Sequence, residues 1–202
     1  MLGSPLVFVD VDTQEDFLAP SGALFIAGSG EILDNLARLT RFARERGIPI
    51  LATSCSHSPD DPELSRLPPH CMAGTPGQRR VSATAWPGGA TLGADGRFDG
   101  SIAPHLTLEK REFDVFSHPE ADRVVAAYNA EGPTFVVYGV ATDYCVQAAA
   151  LGLLERGCKV ALVVDAVRAI DQEVEADVFA ELIHQGGWLT LTDVVRGDGT
   201  TH

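Results

Sequence analysis

Short apolar runs alternate along this chain with longer segments of helical period, and that alternation restricts the fold more than any other feature. Six runs are predicted as β-strands: 6–11, 48–53, 106–110, 134–140, 160–165 and 188–192. Several consist almost entirely of Val, Ile, Leu and Phe, which is typical of strands buried on both faces. Four helices are predicted between them: 31–46, 119–129, 143–156 and 173–184. We therefore predict a three-layer α/β/α fold around a central, mostly parallel sheet of about six strands.

One segment interrupts this alternation. Residues 58–102 are rich in Pro and Gly and are too long for a simple connection. Within them, Thr91-Leu92 and Arg97-Phe98 flank Gly93 to Gly96, a pattern that predicts a small hairpin. Long loops in compact domains usually form lids or binding walls, so we expect this segment to form part of a site wall. The 202 residues otherwise fit a single domain, 1–202, with its own core.

Composition and charge exclude several classes of partner. A net charge of −13 argues against nucleic acid and anionic membrane surfaces, which both require basic patches. No apolar run approaches the roughly 18 residues of a membrane span. The start of the chain has no basic segment ahead of its first strand, so no signal peptide is expected. Four cysteines are too few for a disulfide scaffold, and a reducing cytoplasm is the expected location.

Residues with reactive side chains follow the ends of the predicted strands. Asp12 follows the first strand, Cys55 and His57 the second, Lys110 ends the third, and Cys145 comes just after the fourth. Ligands of open α/β sheets bind at the carboxyl ends of the strands, so these residues should share one edge. Lysine is scarce here, with two lysines among 15 basic residues, and its ammonium is a charge whose pKa can be shifted.

Cys145 follows a buried strand and begins a helix. Thr142 or Asp143 would cap that helix and place Cys145 in its first turn, where the helix dipole favours a thiolate. The free N–H groups there would also hold an oxyanion. The alternative is a buried structural cysteine. A thiol nucleophile needs a proton acceptor, and Asp12 beside Lys110 would supply one. Strand period does not separate Asp12 from Asp10 for that role.

Three motifs resemble the isochorismatase-like cysteine hydrolases, especially their nicotinamidase/pyrazinamidase branch. They are Asp12-Thr-Gln-Glu-Asp-Phe17, Lys110 with Phe116 beyond it, and Gly139-Val-Ala-Thr-Asp-Tyr-Cys-Val146. The resemblance extends over nearly the whole chain and implies that Asp12, Lys110 and Cys145 are catalytic. From the residues alone, Asp16 is either a further carboxylate of the site or a local loop cap. It also implies a cis Val140–Ala141 peptide and an oxyanion hole made by the N–H groups of Ala141 and Cys145.

The resemblance further implies a metal site. Nicotinamidases bind a divalent metal through Asp-x-His and a later His before a Gly-Thr-x-Gly turn. This chain has Cys55, His57 and His70 at those positions, so a cysteine replaces the carboxylate. A Cys-His-His set favours zinc. Glu63, or Asp60 or Asp61, would be a further ligand. Alternatively, the histidines line the pocket without a metal. No organic cofactor is expected.

The expected substrate is a small nicotinamide-like amide, hydrolysed to a carboxylic acid and ammonia through a thioester. Phe17, Leu67 and Tyr144 are expected to line the pocket, and Trp86 is a further candidate. Nicotinamidases commonly carry an aromatic residue where Leu67 stands, so other amides or carbamoyl compounds, or an isochorismate-type ether, remain alternatives. A non-catalytic binding module on the same fold is a third. A homo-oligomer is expected.

Overall fold

The computed structural model describes residues 5–198, and within them seven strands form one sheet. The strands are β1 (Leu6–Val11), β2 (Ile50–Cys55), β3 (Ala90–Leu92), β4 (His105–Lys110), β5 (Thr134–Val140), β6 (Lys159–Arg168) and β7 (Trp188–Thr190). Their order across the sheet is β3-β4-β2-β1-β5-β6-β7, and every neighbouring pair is parallel. The predicted parallel sheet is confirmed, with one strand more than expected.

Helices cover both faces of this sheet. They are α1 (Glu15–Leu18), α2 (Leu33–Arg46), α3 (Ala121–Tyr128), α4 (Gln147–Glu155), α5 (Glu175–His184) and α6 (Thr192–Arg196). Because strand side chains alternate, β1 supplies two cores: Val9 packs in the core that contains Val124 and Leu153, and Phe8 in the core that contains Leu36. The predicted three-layer α/β/α fold is therefore confirmed.

The extra strand lies where a hairpin was predicted, and that prediction is wrong. Ala90–Leu92 pairs in parallel with β4, with Ala90 opposite Leu106, instead of antiparallel with residues 97–98. The turn itself is present, because the Gly96 N–H donates to the Gly93 carbonyl at 2.7 Å. Phe98, however, is buried in the core instead of pairing. The apolar character that suggested a second strand serves core packing.

Other element bounds differ from the predictions by a few residues. β1 and β5 have the predicted bounds, whereas β2 begins and ends two residues later than expected. α2 ends at Gly47, which adopts φ 64°, a left-handed conformation that glycine takes without a Cβ penalty. No helix within residues 5–198 has the length and apolar character needed to cross a bilayer.

Candidate active site

Asp12 lies immediately beyond the end of β1 and is completely buried. Its φ of 47° ends the regular alternation of the strand, which is unusual for a residue other than glycine. The Thr53 hydroxyl donates to Asp12 Oδ1 at 2.6 Å, and Lys110 Nζ lies 2.8 Å from Oδ2. Burial alone would raise the pKa of the Asp12 carboxyl, but Lys110 and the hydrogen bonds hold that pKa below its ordinary value.

Lys110 is the last residue of β4, and 1% of its side chain is exposed. Its Nζ donates to the Glu112 carbonyl at 3.0 Å and also lies 3.2 Å from Cys55 Sγ and 3.6 Å from Cys145 Sγ. Burial acts to lower the pKa of Lys110, but Asp12 and the two thiols raise it well above its ordinary value. The ammonium is therefore a permanent positive charge between one carboxylate and two sulfurs.

Cys145 belongs to a π-helical turn, Thr142–Val146, that precedes α4. The prediction that Thr142 or Asp143 caps this helix is wrong, because no side chain caps the turn. The Thr142 hydroxyl donates to Glu175 instead, and the Asp143 carboxylate accepts from backbone N–H groups of residues 170 and 171. Both side chains anchor the turn to the segment ahead of α5 and to α5 itself.

The Cys145 thiol is buried beside the carboxylate of Asp12. A hydrogen bond with the Cys55 thiol and burial raise the pKa of Cys145 well above its ordinary value, although Lys110 acts in the opposite direction. Cys145 is also a hydrogen-bond partner of the Asp12 carboxylate. The position of Asp12 fits the predicted role of proton acceptor for the Cys145 thiol, whereas the raised pKa opposes the thiolate that a helix dipole would favour.

The backbone beside Cys145 has the form that the family resemblance implied. The Val140–Ala141 peptide is cis. The Ala141 carbonyl accepts from the N–H groups of Tyr144 and Val146, at 3.1 and 3.0 Å. Among the described residues, the Ala141 N–H has no acceptor. An N–H group beside a nucleophile and without an acceptor is the donor type that an oxyanion hole requires.

Cys55 lies beside Asp12, Lys110 and Cys145 and does not join the histidines. The ligand atoms of Asp12, Cys55 and Cys145 all lie within 4.8 Å of one another. The Cys55 thiol donates to Asp12 Oδ2 at 3.6 Å. Gln14 fixes the backbone of Cys55 from both sides, accepting from its N–H and donating to its carbonyl, each at 2.8 Å. The predicted Cys-His-His set is thus corrected, because the last residue of β2 directs its sulfur toward Asp12.

His57 and His70 form a second group with Glu63. Their rings lie 4.7 Å apart, and their Nε2 atoms are 4.0 and 3.8 Å from Glu63 Oε1. On the other side, His57 Nδ1 contacts Asp61 at 3.3 Å and His70 Nδ1 contacts the Pro68 carbonyl at 2.8 Å. The Nε2 atom of His57 is buried without a hydrogen-bond partner.

This geometry fits a divalent metal. Outer acceptors that fix Nδ1 leave each Nε2 lone pair free, as in metal-ligating histidines. Burial and, to a smaller extent, the neighbouring His70 lower the pKa of His57. Its imidazole is therefore held in the neutral form that a metal requires. Two imidazoles and one carboxylate are the ligands of open zinc sites. Glu63, which the sequence offered among several options, occupies the place expected for Cys55.

The predicted pocket residues lie at different depths. Phe17, on α1, is buried with its ring 5.4 Å from that of His70, so it borders the histidine group. Leu67 is half-buried and follows the short 3₁₀ turn that carries Glu63. Tyr144, next to Cys145, is 46% exposed and packs edge-to-face on Phe113 at 6.4 Å. Phe113 is a neighbour that the sequence did not indicate.

Two other candidates lie away from the reacting groups. Asp10 is buried and forms an ion pair with Arg80, so it does not compete with Asp12. Arg80 also donates to the Thr53 carbonyl at 3.0 Å and thereby supports the threonine that holds Asp12. Trp86 stacks on His105 at 5.4 Å, away from Cys145, so the suggestion that it lines the pocket is not supported.

Asp16 acts as a local loop cap, one of the two roles open to it. Its carboxylate accepts from the N–H groups of Cys71 at 2.6 Å and Ala23 at 3.1 Å. The first of these bonds fixes the backbone directly after His70. The Asp-x-Gln-x-Asp motif therefore supplies Asp12 to the buried group that contains Lys110 and Cys145, and two residues that position its surroundings.

Comparison with known proteins places this geometry in a family. The family model of the isochorismatase domain matches residues 6–194. The nicotinamidase of Escherichia coli is 26% identical over 215 residues, which cover 94% of this chain and 96% of that protein. A zinc complex of the pyrazinamidase of Pyrococcus horikoshii is 26% identical, with a TM-score of 0.75 over 92% of this chain and 98% of that one. The N-carbamoylsarcosine amidase of Thermoplasma acidophilum shares the fold at 24% identity and a TM-score of 0.71, over 94% and 97% of the two chains.

Proposed function

Since this chain belongs to the isochorismatase family of hydrolases, we propose that it is a cysteine amidohydrolase acting on a small, nicotinamide-like amide. The observation that carries the proposal is the buried group of Asp12, Lys110 and Cys145, which joins a base, a fixed positive charge and a thiol at the ends of separate elements. The E. coli nicotinamidase, similar over almost its whole length, supports the choice of an amide.

The reaction begins with the Cys145 proton passing to Asp12 as the sulfur attacks the amide carbonyl. The N–H groups of Ala141 and Cys145 hold the resulting oxyanion. Asp12 returns the proton to the nitrogen, ammonia leaves, and a thioester remains on Cys145. Asp12 then takes a proton from water, and the water oxygen attacks the thioester carbon. The C–S bond breaks, the carboxylic acid is released, and the Cys145 thiolate recovers the proton from Asp12. Lys110 keeps the net charge of the group balanced throughout.

We propose that His57, His70 and Glu63 hold a divalent metal, with zinc favoured by the nitrogen and oxygen donors. Such an ion would fix a ring nitrogen of a heteroaromatic substrate. The zinc in the P. horikoshii pyrazinamidase supports this choice. Competition with a chelating dye measures the affinity directly: Glu63→Gln and His70→Asn should each weaken zinc binding, whereas Glu31→Gln, on an exposed side chain, should not. Equal affinity in all four proteins would refute the ligand set.

Substrate selection is assigned to Phe17, Leu67 and Tyr144. Phe17 borders the histidine group, and Tyr144 adjoins the nucleophile at the surface. Leu67 offers an aliphatic wall, which accepts amides without an aromatic ring, including carbamoyl compounds. We also propose that the first part of the 58–102 segment, which carries Glu63 and His70, is the active-site wall. A cytoplasmic homo-oligomer completes the proposal, and light scattering would test the oligomer.

Ammonia release tests the function. Wild-type protein loaded with zinc should release ammonia from nicotinamide or from another amide in a panel that includes N-carbamoyl amino acids. Cys145→Ala should abolish that release, and Cys158→Ala, with an equally buried cysteine away from the group, should not. Full activity in Cys145→Ala would sink the mechanism. Cysteine-independent cleavage of an isochorismate-type ether would favour that alternative, and no turnover of any compound would favour a binding module.

A further inference from the structure

We propose that Cys55 and Cys145 form a reversible disulfide when a hydroperoxide reaches the active site, with Cys55 acting as the resolving thiol. The proposal rests on the nucleophilic role of Cys145 given above. It concerns Cys55, which stands where the family resemblance implies a metal-ligating carboxylate. The replacement removes a metal ligand and adds a second thiol beside the nucleophile.

The two sulfurs are neighbours in the buried site, and the Cys145 thiol is a hydrogen-bond partner of the Cys55 thiol. Both lie within 4.8 Å of each other and of the Asp12 carboxylate. Lys110 Nζ bridges them, at 3.2 Å from Cys55 Sγ and 3.6 Å from Cys145 Sγ. Neither sulfur is engaged in another disulfide, since all four cysteines are free.

The surroundings of Cys55 also supply what a resolving thiol needs. Attack on an oxidised sulfur requires a thiolate, so a base and a stabilising charge must be present. Asp12 Oδ2 accepts from the Cys55 thiol at 3.6 Å, and the Lys110 ammonium contacts the same sulfur. The groups that would generate the Cys145 nucleophile therefore serve Cys55 equally well.

The chemistry takes place in two balanced steps. The Cys145 sulfur attacks the hydroperoxide, the O–O bond breaks, and Cys145 is oxidised by two electrons to a sulfenic acid while water or an alcohol leaves. Cys55, after giving its proton to Asp12, attacks the sulfenic sulfur. The S–S bond forms, and hydroxide leaves with that proton as water. A dithiol reductant restores both thiols by exchange.

The other two cysteines lack this setting. Cys71 and Cys158 both lie outside the group of Asp12, Cys55 and Cys145. Burial and, to a smaller extent, the nearby carboxylates raise the pKa of Cys71. The Cys71 sulfur is directed at the Gly77 carbonyl, at 4.0 Å. Burial also raises the pKa of Cys158, and this residue is packed in the core beyond α4. Cys158→Ser is therefore the matched control for Cys55→Ser.

The disulfide would inactivate Cys145 reversibly and would protect it from irreversible oxidation. Without a resolving thiol, a sulfenic acid proceeds with excess peroxide to a sulfinic acid, which dithiols do not reduce. Wild-type protein should therefore lose activity with hydrogen peroxide and regain it with dithiothreitol. Cys55→Ser should lose activity under the same treatment without regaining it, each variant being compared with its own untreated rate.

Mass spectrometry of the peroxide-treated protein provides the direct test. Wild type and Cys158→Ser should each lose two hydrogens, and digestion should yield one peptide pair joined through Cys55 and Cys145. Cys55→Ser should instead gain two oxygens on Cys145. A wild-type protein that acquires a sulfinic Cys145 with Cys55 still reduced would overturn the proposal, as would a disulfide between Cys145 and Cys71.

The mass readout also separates this proposal from the proposed function. A Cys55–Cys145 disulfide in a protein that hydrolyses no amide would support the redox proposal and refute the amidohydrolase function. Ammonia release without any disulfide would do the reverse. Because the decisive mapping uses wild-type protein, it remains available if Cys55→Ser fails to fold.

Discussion

Replacing Lys110 with Met tests the buried ion pair that organises the site. Lys110 and Asp12 are both almost completely excluded from solvent and lie 2.8 Å apart. Met retains most of the volume of the lysine side chain but leaves the Asp12 carboxylate without its counter-charge. Removing one partner of a buried pair costs about 3–5 kcal/mol. For a domain of this size, each kcal/mol lowers Tm by roughly 2–4 °C, so a loss of about 6–20 °C is expected.

The pH dependence of that loss identifies its source. In the wild type the pKa of Asp12 is lowered, so its contribution to stability is present above the unfolded pKa and is lost as pH falls through the folded pKa. In Lys110→Met the folded pKa should rise above the unfolded value, because burial, the largest influence on the Asp12 pKa, is then opposed only by hydrogen bonds such as that from Thr53. The variant should therefore lose stability as pH rises, and the gap between the two proteins should widen from acidic to neutral pH.

Urea unfolding at several pH values between 5 and 8 measures this gap. Lys159→Met is the matched control, because Lys159 is exposed, donates to the Gly132 carbonyl at the surface, and is the other lysine of the chain. It should unfold like the wild type at every pH. If the difference in free energy of unfolding between wild type and Lys110→Met stayed constant with pH, the ion pair would not be its source. If Lys110→Met lost no more stability than Lys159→Met, the ion pair would not stabilise the fold.

Three further substitutions have definite expected results. Gly139→Ala should prevent folding to the native state, because φ is 119° and a Cβ would collide with the backbone of β1. The control Gly30→Ala, whose Cβ would meet open space, should melt like the wild type. Arg80→Met should cost about 3–5 kcal/mol in urea unfolding, since it removes the counter-charge of the buried Asp10 carboxyl and leaves it only the hydrogen bond from the Thr13 hydroxyl. Tyr144→Ala should raise KM with kcat unchanged, as expected if this half-exposed side chain binds the substrate as proposed; an unchanged KM would refute that role.

The sequence predicts the elements that are buried and continuous. β1 and β5 have the predicted bounds because both are apolar runs, and the carboxyl ends of parallel strands then bring Asp12, Lys110 and the Cys145 turn together. β3 escapes prediction because it is three residues long, lies at the sheet edge and exposes two of its residues, so no period can be read.

What the sequence does not give is the direction of individual side chains. Strand period puts Asp10 and Asp12 on one face, but the positive φ of Asp12 separates them, and Asp10 finds Arg80 some 70 positions along the chain. Cys55 stands where a ligand was expected, yet its sulfur lies with the catalytic group, and Glu63 joins the histidines. Such pairings depend on tertiary contacts that no local pattern encodes.

The proposed mechanism requires Cys145 to carry the acyl group of the substrate as a thioester. Rapid-quench mass spectrometry during turnover of nicotinamide, or of whichever amide releases ammonia, tests it most directly. The account predicts a transient adduct with the mass of the acyl group, located on the peptide that contains Cys145 and absent from Cys145→Ala. Steady ammonia release with no adduct at any quench time, and with full activity in Cys145→Ala, would contradict it.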